Sequence, residues 1–97
     1  MLGRIAQDMT AQAVRSGGMA RRELSRGLVL ELWGEAPGRW VLRISRPVKM
    51  PSAQEVAIVR RAFGVPADVE AQESNGCEVW MRWRPVYAEG GDGPAAD

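Results

Sequence analysis

Residues 28 to 45 hold two runs in which apolar side chains recur at every second position. Leu28, Leu30 and Leu32 alternate with Val29, Glu31 and Trp33, and Trp40, Leu42 and Ile44 alternate with Val41, Arg43 and Ser45. Side chains on a strand point to opposite faces in turn, so each run presents one apolar side, and the intervening Gly-Glu-Ala-Pro-Gly predicts a hairpin loop. Matching the apolar sides sets Leu32 against Trp40, Leu30 against Leu42 and Leu28 against Ile44. A one-residue slip would send half of these groups into water. The other side then pairs Val29 with Arg43, Glu31 with Val41 and Trp33 with Arg39, the last a candidate cation–π contact worth about 0.5–1 kcal/mol where exposed.

A second such unit lies near the C-terminus. In Trp80-Met81-Arg82-Trp83-Arg84, period two places Met81 and Trp83 on a core face and Trp80, Arg82 and Arg84 on the other. The preceding Ser74-Asn75-Gly76 marks a turn. A two-residue Asn-Gly turn would set Val79 against Gln72. A three-residue loop with left-handed Gly76 pairs Glu73 with Cys77, Ala71 with Val79 and Val69 with Met81, and it places Glu70 beside Trp80 and Asp68 beside Arg82. The second register collects the apolar residues on one face and is the one expected.

Helices flank the hairpins. Leu2, Ile5, Met9 and Ala13 share a helical stripe that ends at Gly17-Gly18, so residues 1–18 read as an N-terminal helix. Ser52-Ala53-Gln54-Glu55 fits the capping box, in which the Ser and Glu side chains satisfy each other's free backbone N–H groups. Val56, Val59, Ala62 and Phe63 line the following helix, with Ile58 at the margin of the stripe. Gly64 terminates it, Val65 folds back on Val59, and Pro66 blocks continuation. Residues 19 to 26 have too little periodicity to assign and are taken as a connector, while 88–97 lack any pattern and are expected to be disordered. The expected fold is α+β: a two-layer sandwich in α-β-β-α-β-β order, with a largely antiparallel four-stranded sheet and both helices on one face. Residues 19–87 form its single core domain.

Composition limits the chemistry. The 97 residues, 45% of them hydrophobic, suffice for one small core. With no histidine and a single cysteine, Cys77, internal disulfides, cysteine-clustered metals and imidazole acid–base catalysis fall away. Cys77 reads as a small buried hydrophobe on the core face beside the turn. No catalytic constellation, cofactor motif or metal site is expected, and the chain reads as non-enzymatic. No apolar run reaches membrane-spanning length and no signal-peptide h-region is present, so a cytoplasmic location without membrane contact is expected.

Charge is uneven. Residues 14 to 61 carry ten basic against four acidic groups, and residues 62 to 97 carry two against seven, although the whole chain is only +1. The halves either neutralise each other on folding or set a basic surface beside an acidic tail; the first is the simpler reading. Opposite the core, the sheet should display Trp33, Trp80, Arg39, Arg43, Arg82 and Arg84, with Glu31, Glu70 and Glu78 among them. Trp and Arg are favoured anchors of protein interfaces, and a small sheet leaves unpaired edges, which makes a protein partner or a homodimer the leading expectation. The alternative is single-stranded nucleic acid, with bases stacked on tryptophan and phosphates held by arginine, although the interleaved acids weigh against it. Two further readings remain: ordinary cross-strand pairs on a solvated face, or an N-terminal segment folded over it.

Overall fold

The computed structural model describes residues 1–35, 38–67, 69 and 71–84. Helix α1 (Leu2–Ser16) leads into strands β1 (Met19–Glu23), β2 (Val29–Glu35) and β3 (Arg39–Ser45). Helix α2 (Ala53–Ala62) follows, then strands β4 (Ala71–Asn75) and β5 (Glu78–Trp83). A short 3₁₀ turn, Ser25–Gly27, joins β1 to β2. The strands make one antiparallel-paired sheet in the order β1-β2-β3-β5-β4, so β5 lies between β3 and β4.

The α+β two-layer arrangement is as expected, with both helices on one face. Met9 and Ala13 of α1 and Val59 of α2 join Leu30, Leu32, Leu42, Ile44, Met81 and Trp83 of the sheet in one buried cluster. Burying side chains of this kind contributes about 1.5–3 kcal/mol each. The N-terminal segment therefore packs on the leucine face and leaves the tryptophan face uncovered.

Local chemistry sets the helix ends. The Glu55 N–H donates to Ser52 Oγ (3.1 Å) and the Ser52 N–H donates to Glu55 Oε1 (2.9 Å), completing the capping box. At the other end Gly64 is left-handed (φ 67°), and the N–H groups of Gly64 and Val65 donate to the carbonyls of Arg61 and Arg60, which is a Schellman closure. Helix α1 stops at Gly17 (φ 86°), where the chain reverses.

Three expectations need correction. Residues 19 to 23 are not a connector but a fifth strand, paired from Met19↔Trp33 to Glu23↔Val29. Only Ala20 of β1 is buried, so its sequence carries no alternation to read; the open backbone edge of β2 aligns it. The first hairpin pairs Glu35 with Arg39, Gly34 with Trp40, Leu32 with Leu42 and Leu30 with Ile44, two residues away from the expected register. An even shift keeps every side chain on its expected face. Gly34 suits the shift: a Cβ there would lie 3.4 Å from Trp40 Cζ3, already in contact, so a side chain larger than a methyl group would press on the indole.

The second hairpin turns on Gly76 and Cys77, pairing Asn75 with Glu78, Ser74 with Val79 and Ala71 with Arg82. Left-handed Gly76 (φ 63°) at the first central position suits a two-residue type II′ turn. Gln72, Glu73, Ser74 and Asn75 are all polar, and a strand without an apolar side specifies its register weakly. Cys77 is consequently a half-buried turn residue outside the core, its Sγ 3.9 Å from the Pro47 carbonyl oxygen. The expected neighbours Asp68 and Glu70, and the tail from residue 88, lie outside the described residues.

Candidate functional site: an open sheet face

Odd-numbered positions of β2 and β3 and even-numbered positions of β5 share the face that no described helix covers. The register places Val41 between Trp33 and Arg82, and Arg43 between Glu31 and Trp80. Trp33 and Trp80 thus stand on strands either side of β3, one step apart along it. Their rings reach across and stack, with centroids 5.6 Å apart and planes 11° from parallel. Val41 is almost fully buried on this side, where Glu31 and Ser45 are buried as well. Such an offset pair contributes about 0.5–1.5 kcal/mol beyond the area it covers.

Arg43 organises the charges. Its guanidinium donates through Nη1 to Glu31 and through Nη2 to Glu78, bridging β2 and β5 across its own strand. It also lies 5.5 Å from the Trp80 ring centroid, and Trp80 Nε1 donates to Glu78 Oε1 at 2.8 Å. Arg21 approaches Glu31 more loosely, at 3.9 Å. The Arg43 guanidinium, and secondarily the Trp80 indole N–H, hold the Glu78 carboxyl below the usual carboxylate range. Arg43 is itself raised above the ordinary arginine value, chiefly by its hydrogen bond to Glu78.

The six residues expected to form the site therefore divide. Trp33, Trp80 and Arg43 meet in one network. Arg39 and Arg82 are half-buried on the same face, and Arg84 is exposed just past β5; all three have interactions within the chain. The register sets Arg39 opposite Glu35 and not opposite Trp33 as expected, and the Trp33 ring stacks on Trp80. Glu31, one of the acids interspersed on this face, is almost completely buried. Its burial follows from sitting between Arg21 and Arg43, which becomes visible only when β1 is recognised as a strand.

Below this network a groove of about 440 Å³ is lined by Arg21, Arg43, Arg46, Ser45, Cys77 and Glu78 among others. Arg46 is committed elsewhere: it makes a two-pronged ion pair with Glu55 and donates through Nε to the Arg26 carbonyl at 3.1 Å. It thus ties the end of β3 to the capping box of α2, and no sequence motif announced that role. Among the described residues no group of three His, Cys, Asp or Glu is placed to hold a metal ion. No described helix is long and apolar enough to cross a membrane.

No protein-family model, curated protein or solved structure matches the chain.

Proposed function

We propose that the protein is a small non-enzymatic recognition module that docks another protein, or a second copy of itself, on its open sheet face in the cytoplasm. The observation that carries this reading is the stacked Trp33–Trp80 pair, two half-buried indoles held against each other on a face that no described helix covers. Aromatic area that is already ordered loses little conformational entropy on binding and suits the anchor of an interface.

The charge pattern favours protein over nucleic acid. Single-strand binding needs ring faces open to bases and guanidinium groups open to phosphate. Here each indole gives one face to the other, and Arg43 is occupied by two carboxylates. A titration of single-stranded and duplex oligonucleotides, followed by tryptophan emission at two salt concentrations, tests the choice. The expected outcome is no salt-dependent quenching. Quenching that weakens steeply with salt would assign the face to nucleic acid, because phosphate contacts release counterions. Light scattering over a range of protein concentrations separates a second copy from a different partner.

A further inference from the structure

Among the described residues the sheet has a second unpartnered feature, the outer edge of β1. Beyond the ends of β1, the Gly34 N–H donates to the Gly18 carbonyl (2.9 Å) and the Leu24 N–H donates to the Leu28 carbonyl (2.7 Å). Both pairs continue the β1–β2 register. In an antiparallel ladder, hydrogen-bonded and non-hydrogen-bonded pairs alternate. Residues 18, 20, 22 and 24 therefore turn their backbone groups toward β2, and Met19, Arg21 and Glu23 turn theirs outward. The Met19 carbonyl accepts from Ser16 Oγ at 2.9 Å. The N–H and C=O groups of Arg21 and Glu23 form an open template for one more strand.

The side chains along this edge state what the added strand must carry. Arg21 lies on the tryptophan face, 52% exposed and only loosely paired with Glu31 at 3.9 Å. Arg22 lies on the helix side, and Arg26 follows in the turn. Exposed Met19 sits opposite Trp33 at the other end of the strand. An incoming strand thus meets two consecutive arginines beside an apolar position. A two-fold pairing of β1 with its own copy, centred on the strand, would set Arg21 against Arg21, and like charges directly opposite are unfavourable.

We infer that β1 receives an extended acidic segment of a partner protein as a sixth strand, with consecutive carboxylates opposite Arg21 and Arg22 and an apolar residue beside Met19. Backbone hydrogen bonds to Arg21 and Glu23 supply the affinity and the arginines supply the choice of partner. The edge is a site distinct from the tryptophan stack, so this inference stands or falls separately from the face reading.

A capped peptide, Thr-Thr-Glu-Glu-Val-Val-Thr, matches the edge in antiparallel orientation. Amide exchange measured by NMR on the full chain is expected to slow at Arg21 and Glu23 when this peptide is added, while the indole signals of Trp33 and Trp80 stay in place. A Lys-Lys version should bind about tenfold more weakly, and Arg21→Glu should invert the preference. If that variant fails to fold, N-methylation of the peptide amides that face the edge tests the unaltered protein, and binding should be lost. Equal binding of the Glu-Glu and Lys-Lys peptides would overturn the inference. So would unchanged exchange at Arg21 and Glu23 up to about 1 mM peptide, or exchange that slows with protein concentration alone.

Discussion

Trp33 and Trp80 stack across the central strand of the sheet, 5.6 Å between centroids, although 46 positions separate them in the chain. The contact joins the two hairpins on the side away from the helices, and only the β3–β5 pairing brings it about. Replacing either Trp by Ala should cost about 1–3 kcal/mol through lost area. The double variant should fall short of the sum by about 0.5–1.5 kcal/mol, the coupling of a stacked pair. Urea unfolding of the four proteins measures this, and strict additivity would mean that the rings do not interact.

Arg43 keeps two carboxylates compatible on one face. Arg43→Met leaves Glu31, with its side chain only 12% exposed, beside Glu78 without their shared cation. The loss should be about 2 kcal/mol at neutral pH, because a largely buried carboxylate left with only the looser Arg21 keeps most of its desolvation cost. Adding Glu31→Gln to that variant should recover part of it. Chemical denaturation of the single and double variants shows whether it does.

The Arg46–Glu55 pair predicts a pH dependence of known sign. Arg46, and then the Ser52 backbone N–H, lower the Glu55 carboxyl from 4.5 to about 2. A carboxyl with a depressed folded value stabilises fully above its unfolded value and loses that contribution as pH falls through the folded one. Stability should therefore decline between about pH 4.5 and pH 2, with Glu78 adding to the same acid limb. Arg46→Gln should flatten the decline, as read from unfolding midpoints across that range. An unchanged slope would remove this pair as its cause.

Gly34 discriminates between the two hairpin registers. In the expected register it belongs to the loop, where valine would be tolerated. In the observed one a Cβ meets the Trp40 ring at 3.4 Å, and a branched side chain must displace the indole. Gly34→Val should lower stability by about 1–3 kcal/mol and shift the Trp40 indole resonance. A neutral substitution would favour the shorter pairing.

What could be read from the residues followed the strength of their periodicity. Leu30, Leu32, Leu42, Ile44, Met81 and Trp83 all occupy the expected core face, since alternation on half-buried strands is a two-state signal. Ser52 and Glu55 specify their own helix start through contacts three residues apart. Pairing partners were harder to read. Gly34 looked like loop because the space reserved for Trp40 is a tertiary property, and β4 offered no apolar side to fix its register. β1 is illegible in the sequence for a related reason: Met-Ala-Arg-Arg-Glu becomes a strand only beside β2. The tryptophans and arginines of the candidate site were visible as a set, but their mutual engagement depends on registers that differ from the expected ones.

The most direct test of the proposed recognition face is site-specific photo-crosslinking in the living host. A diazirine amino acid at Arg39 or Arg82, on the tryptophan side, is compared with one at Ala57, on the outer side of α2. The proposed function predicts one discrete, nuclease-resistant protein adduct from the sheet positions, absent at Ala57 and lost when Trp33 and Trp80 are both alanine in a chain whose circular dichroism is unchanged. A nuclease-sensitive adduct, or the same adduct from Ala57 as from the sheet, would contradict it.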